Sequence, residues 1–478
     1  MPIRSILTAA VLIVTASFTL PAAAAAQNAD TTTDVLVVGG TPSGVAAAIA
    51  AARDGERVIL VSADRDLGGV ISDGMMNQWD LNLAPDGSAV EGGIFSEIYD
   101  RLGEAFSPQA ASQTFADMVA AEPRIAVRYD ERPIAVARTF AFTGQDAVES
   151  VTFQGAENGE RSTIRAAFVV DATDDGDVAA LAGVPYDLGR QDTGIDERMQ
   201  PVTLMFALAG VNWPKLEGFY EPLRFGPGGT TGRSAWGYHD LMAAYKPVSE
   251  NVVVPDLNLG RRSDGDVSVN AIDVLGIDGL DPKQLDLARR LTEREAPHLV
   301  SYLRANLPGF ERARLSRFAS ELYVRETRHV AGLERLTSGD IWLGKIPAGS
   351  IGLASYPIDI HPVVATDKNA YAARRHVYGI PFGVMIPKGL TNLLVASPAI
   401  SATHLAAGSA RTIPTTIEEG EAAGAACALA LEARIDFVQL AGRPERIAEL
   451  RADLVAAGVL LTQPRSSPLA RSGAPRHG

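Results

Sequence analysis

Asp34, Val35, Leu36, Val37 and Val38 make an apolar strand, Gly39, Gly40, Thr41, Pro42, Ser43 and Gly44 make a turn, and Val45 to Asp54 make a helix of small residues that Gly55 stops. A second strand follows at Arg57, Val58, Ile59, Leu60 and Val61. A strand that turns tightly through glycine into a helix aims unbonded backbone N–H groups, and the positive end of the helix dipole, at one point in space. A pyrophosphate fits that point, so the segment predicts the first half of a dinucleotide-binding unit. Gly39 permits the turn, Gly44 and Ala48 let helix and strand lie close, and Pro42 suits a first helical position, where no amide donor is missed.

Two positions depart from the ideal G-x-G-x-x-G pattern. Thr41 replaces the second glycine; its hydroxyl suits a helix cap, and its bulk leaves less room for a phosphate against the backbone. Ser62 stands where an acidic residue would hold a ribose hydroxyl, with Asp64 and Asp66 as alternatives. Taken alone, the pattern fits a nucleotide site and an ordinary buried strand-turn-helix equally. Arg65, Asp66, Leu67, Gly68 and Gly69 then add a second glycine pair, where a long dinucleotide needs close backbone approach again.

These residues resemble the FAD-dependent oxidoreductase family with a glutathione-reductase-type nucleotide domain. More narrowly they resemble a bacterial branch reading GGTPAG, then LGG, then an S-G-G-L-like stretch, here Ser72, Asp73, Gly74 and Met75. Further along, Phe168 to Thr173 resembles the family's closing strand, with Asp174 where glycine is usual. Asn392 to Ala396, Ser401 to His404, Arg411 to Thr415 and the small-residue run Gly420, Ala423, Gly424 and Ala426 resemble its C-terminal N-L-L-V-A, I-S-A-T-H, R-x-x-P-T and G-x-A-A-G-x-A-A motifs.

The resemblance implies an α/β fold: a Rossmann-like FAD-binding domain of parallel sheet plus β-meander, with an interleaved α+β substrate domain. It implies FAD, bound by Gly39, Gly40, Thr41, Pro42, Ser43, Gly44, Ser62, Asp64, Arg65, Gly68, Gly69, Asp171, Ala172, Thr173, Ser401, Pro414, Thr415 and Thr416. The helix that starts near Pro414 is expected to point at the flavin N1–C2=O edge, where negative charge collects on reduction, with Arg411 adding to that stabilisation. His404 is the expected acid/base, because oxidation at a C–H bond needs a proton removed as the hydride leaves. Gln200, Arg325, Arg328, Asp359 and His361 are candidate substrate residues; a strand puts Asp359 and His361 on one face. Each of these polar groups also has a plain structural reading, as an ion pair or a buried hydrogen bond.

The 478 residues, 46% of them hydrophobic, suffice for a large core and two or three domains. The expected organisation is a signal peptide at 1–26, an FAD-binding domain made of 30–75, 122–185 and 378–435, a linking segment at the flavin over 76–121, a substrate domain at 186–377, a C-terminal helix at 436–463 and a disordered tail at 464–478. The signal reading rests on basic Arg4, the apolar run Ile6 to Leu20 and the Ala24-x-Ala26 pattern, too short for a spanning helix. It implies an exported protein, periplasmic or secreted, with no stable membrane insertion after cleavage.

A net charge of −14 with no Lys/Arg cluster argues against nucleic-acid and anionic-lipid partners. Cys427 is the single cysteine, which excludes an intramolecular disulfide and a dithiol relay. No metal-binding His or Cys spacing is present. A second glycine-rich nucleotide unit is also missing, so electrons are expected to come from a small organic substrate such as an alcohol or sugar and to pass to an unidentified acceptor. Three other readings fit the same residues: an NAD-dependent dehydrogenase, a non-redox lyase with a structural flavin, and a binding protein on a vestigial nucleotide fold.

Overall fold

The computed structural model describes residues 31–139, 145–157, 159–367, 370–371 and 376–463. The expected leader at 1–26 and tail at 464–478 lie outside the described residues. The nucleotide-side sheet contains β1 (Thr31–Val38), β2 (Val58–Val61), β3 (Ile125–Arg128), β4 (Glu131–Thr139), β5 (Ala147–Gly155) and β6 (Arg161–Asp171), in the order β3-β2-β1-β6-β5-β4. β1 is parallel to β2 and β6, and β2 is parallel to β3. The strand Leu393–Val395 returns from far along the chain to pair in parallel with the end of β6. Helix α1 (Pro42–Arg53) packs on this sheet, with every residue from Pro42 to Ala52 buried.

The sequence predicts four meander strands between Ile125 and Phe168, followed by a separate closing strand at Phe168–Thr173. The structure rearranges this. β3 belongs to the parallel half; only β4, β5 and β6 form the meander; and β6 runs unbroken into the closing strand, so that Ile164 pairs with Val151 on one side and Thr31 on the other. Period-two alternation identifies a strand but not its partner, which accounts for the difference. Phe140 to Phe142, expected at the end of one strand, lie outside the described residues.

The second layer is a six-stranded antiparallel sheet in the order Gly228–Thr230, Ser234–Gly237, Leu257–Arg261, Val267–Asn270, Phe206–Ala209, Arg314–Phe318. It has its own core, with Phe206, Trp213, Leu257, Leu259 and Phe310 buried. The poorly patterned region 211–265, expected as a lid, supplies three of these six strands. Pro282–Ala296 and His298–Asn306, expected as two helices, form one helix of 25 residues with Pro297 inside it. An internal proline costs about 3 kcal/mol; Ala288 and Thr292 before it, and Leu299, Val300 and Leu303 after it, are all buried, and this packing holds both halves on one axis. The stretch 404–410, expected as loop, is a helix capped by Thr403.

Candidate active site

The turn into α1 leaves no room for side chains. Gly39 has φ +121°, a Cβ on Gly44 would lie 1.9 Å from the Gly39 carbonyl oxygen, and one on Gly40 would lie 2.2 Å from the Ser62 hydroxyl. Thr41 fits because its side chain folds inward: Oγ1 accepts from the Gly44 amide at 3.2 Å and donates to the Ala172 carbonyl at 2.9 Å. The threonine therefore caps the helix, and its hydroxyl is tied back to the turn after β6. Gly68 closes over the turn, its amide donating to the Gly40 carbonyl at 2.7 Å.

The helix Ile413–Ala433 lies against α1 backbone to backbone. A Cβ on Gly420 would meet the Ser43 carbonyl at 2.1 Å and one on Gly424 the Ala47 carbonyl at 2.3 Å, so the two helices run parallel. Because Gly420 sits opposite Ser43, the start of the C-terminal helix overhangs that of α1 by about six residues, or ~9 Å at helical rise. No side chain caps its first turn; Thr412 and Thr415 bond each other through their hydroxyls at 2.9 Å. Two parallel helix N-termini, offset along their common axis, suit an extended flavin dinucleotide, one its diphosphate and the other its ring edge.

Several expected cofactor residues build this cradle from below. Ser62 accepts from the Asp64 amide and donates to the Asp66 carbonyl, both at 3.2 Å, and so shapes the loop in place of a ribose-binding acid. Asp64 shares a hydrogen bond with the carboxyl of Glu321. Arg65 is exposed and pairs with Asp130 at 3.3 Å and with Glu157. Asp171 accepts from the Thr173 amide and hydroxyl and from the Ala179 amide, with burial pushing its carboxyl up to about 7. Ser401 is buried in backbone pairing with Val384 and Leu336.

A cleft with a water-accessible volume of about 50 Å³ opens beside Arg411, two residues before the helix Ile413–Ala433 begins. Met76, Asn77, Gln78 and Asp80 form one wall. Asn258, Ser268 and Asn270 project from two adjacent strands of the six-stranded sheet, where alternate residues share a face. Tyr323, Arg325, Tyr356, Asp359, His361 and Arg411 complete the lining with Met205.

Asp273 lies beneath this cleft and organises it. Its carboxylate accepts from His361 Nδ1 at 2.6 Å, Arg325 at 3.0 Å and the Thr203 hydroxyl at 2.7 Å. Burial and the nearby Arg325 push the His361 imidazole down, but the carboxylates of Asp273 and Asp359 outweigh them and leave its pKa raised to about 9. Asp359 stands 3.5 Å from both His361 Nε2 and Arg411; burial raises its carboxyl, and those cations together bring it to about 2.

Of the expected substrate residues, Arg325, Asp359 and His361 meet in the cleft. Gln200 lies behind it, its side-chain oxygen accepting from the His361 amide at 3.2 Å. Arg328 does not line the cleft; it bonds the Asp175 carbonyl and Asp177 and stacks over Tyr186. Arg411 lines the cleft, but His404 does not. His404 is 4% exposed, with Nδ1 2.6 Å from a Glu326 oxygen that also takes His329 Nε2 at 2.9 Å. Of these two histidines, His361 lines the cleft and His404 does not. Asp273, Asn258, Ser268 and Asn270 were missed; the polar-apolar alternation in Val267, Ser268, Val269 and Asn270 was a signal, but an exposed strand face reads the same way.

Among the described residues no cluster of His, Cys, Asp and Glu could hold a metal ion, and no helix is long and apolar enough to cross a membrane. The parallel helix pair and the polar cleft are the candidate places for a nucleotide and a small molecule. A family model described as FAD dependent oxidoreductase matches residues 34–454, and the chain belongs to that family. It is an FAD-dependent oxidoreductase. No curated protein matches it. Among solved structures, it is similar to the p-nitrophenol 4-monooxygenase PnpA from Pseudomonas putida DLL-E4, at 12% identity over 89% of this chain and 85% of that one, with a TM-score of 0.42. It is also similar to the myxobacterial chondrochloren halogenase CndH, at 11% identity over 88% and 78%, with a TM-score of 0.43.

Proposed function

We propose that this enzyme oxidises a small hydroxyl-bearing organic molecule, an alcohol, a sugar or a relative, in the cleft around His361. The observation that carries this reading is the place of Arg411: it lines the cleft and stands two residues before Ile413, where the flavin-side helix begins. Substrate and ring therefore share one neighbourhood. FAD, when bound, supplies the hydride acceptor. The chain's own residues handle the rest. Asn258, Ser268 and Asn270 hold substrate hydroxyls; His361, fixed by Asp273, takes the hydroxyl proton as the C–H hydride leaves. An imidazole with pKa near 9 accepts a proton only in its neutral fraction, so turnover rises with pH up to about that value.

The basic-then-apolar start at 1–26 supports export, with FAD acquired after translocation and an acceptor other than a second built-in nucleotide domain. The test is to purify the mature chain, determine its N-terminus by mass, record its spectrum, and add hydroxylated metabolites anaerobically. A yellow protein absorbing at about 450 nm that bleaches with such a substrate supports the reading. Product formed without bleaching, or a colourless protein, sinks it.

A further inference from the structure

We propose that the substrate carries a carboxylate and that Arg411 receives it. This rests on the cleft being the substrate site. Arg411 is 8% exposed and lines the cleft, yet its guanidinium is poorly used. One terminal nitrogen donates to the Tyr323 hydroxyl; the other reaches the Asp359 backbone oxygen and carboxylate only at 3.4 and 3.5 Å; and Nε, fully buried, has no partner.

A guanidinium offers five N–H donors in a planar fork, and a buried donor left without an acceptor is destabilising, more so when charged. That fork matches a carboxylate, two bonds side by side. Asp359 does not fill this role, since its carboxylate meets one arm at the limit of bonding and is shared with His361 at 3.5 Å. Of the other charges in the cleft, Arg325 and His361 converge on Asp273, while Asp80, which accepts from the Tyr356 hydroxyl at 3.1 Å, and Asp359 both act on Arg411 through their charge. Ser268 Oγ, also buried without a partner, and the two asparagines on its sheet face suit hydroxyl groups on the same molecule. The ligand class is thus a small hydroxylated monocarboxylate, such as a 2-hydroxy acid or a sugar acid. A neutral polyol would leave the fork unfilled.

The experiment titrates the FAD-loaded enzyme anaerobically with lactate and gluconate against their neutral counterparts propane-1,2-diol and glucose, reading both the flavin spectrum and the thermal midpoint. The acids are expected to bind at least ten times more tightly than the neutral pair. R411Q and R411K are expected to keep FAD and lose that preference, wholly and partly, and D359N, which removes the competing negative charge, to strengthen acid binding several-fold. Equal binding of acids and neutrals overturns the proposal. So does an R411Q or R411K variant that keeps the preference, or one whose only change is weaker FAD retention, which would assign Arg411 to the ring. If the wild type carries no flavin, the functional reading fails separately, and the thermal shift with gluconate against glucose still decides the carboxylate site.

Discussion

The cradle at Gly44 is made of backbone, whereas the cleft at Arg411 is made of side chains. In the cradle, helix meets turn and helix meets helix at distances no Cβ survives, and the contacts come from residues close in sequence, from the turn after β6 at Ala172, and from one long-range pair of helices. In the cleft, charged groups from four separate segments gather above one buried carboxylate, Asp273, which Arg325 and His361 share. The first kind of site tolerates changes of chemistry and fails on any gain of volume. The second tolerates volume at its open mouth and fails on any loss of charge.

The sharpest way to break this contrast is to add a side chain between the two helices. Gly420→Val puts atoms where the Ser43 carbonyl already sits at 2.1 Å from a Cβ, so the helices have to separate. The expected loss is about 3 kcal/mol, the upper end of the usual cost of core overpacking, seen as a lowered thermal midpoint and loss of bound FAD together. Gly218→Ala, where nothing lies within 4 Å, is the control and should be nearly silent. A Gly420→Val protein with the wild-type midpoint would mean that the helix pair is not what holds the cradle.

In the cleft the same test is made by chemistry. His361→Asn removes the cleft-facing imidazole with little change of volume and should slow substrate-driven flavin bleaching by 10²-fold or more, in the range typical of general acid-base groups. His404→Asn should change the bleaching rate much less, because His404 is held by Glu326 away from the cleft lining. Anaerobic stopped-flow on both variants ranks them; if His404→Asn is the slower enzyme, His404 returns as the acid/base.

The two histidines also show what a sequence can and cannot disclose. Gly39 to Gly44 and Gly420 to Gly424 were legible because close backbone approach demands glycine whatever else the chain does. The cleft was only partly legible: Arg325, Asp359, His361 and Arg411 could be named, but not grouped. Arg325 and Glu326 are neighbours in the chain, and yet one turns to Asp273 and the cleft while the other turns to His329 and His404. Which side belongs to the substrate depends on Asp273 and on the strand pair carrying Asn258 and Asn270, whose placement is tertiary. Pro297 and β6 misled for the same reason, since packing and pairing decided what local propensity left open.

Each region also holds a titratable group away from its ordinary range, and pH separates them. Asp171 under the cradle is raised from 3.8 to about 7 by burial, so its contribution to stability is fully present at low pH and is lost as pH rises between those values. His361 is raised from 6.5 to about 9, so its contribution is complete below about 6.5 and is lost as pH climbs through 9. The thermal midpoint should therefore fall from pH 5 to pH 9. His361→Asn should flatten the limb above about pH 6.5, worth on the order of 3 kcal/mol at most, and leave the lower limb intact. A midpoint that rises with pH, or an upper limb unchanged in His361→Asn, contradicts the assignment.

The smallest expected effect lies where the sequence departs from the ideal glycine pattern. Thr41 makes three bonds through one hydroxyl: from the Gly44 amide at 3.2 Å, to the Ala172 carbonyl at 2.9 Å, and with the Ser43 hydroxyl at 3.0 Å. Thr41→Val keeps the shape and deletes all three, which should cost about 1 kcal/mol, the usual worth of a helix N-cap, and lower the midpoint by a few degrees. FAD affinity should move less than threefold, because the hydroxyl is committed to the turn and the free amides of α1 are unchanged. Titration of the apoprotein with FAD measures this directly. A tenfold loss of affinity in Thr41→Val would mean that the hydroxyl serves the phosphate, and that the cradle depends on a side chain after all.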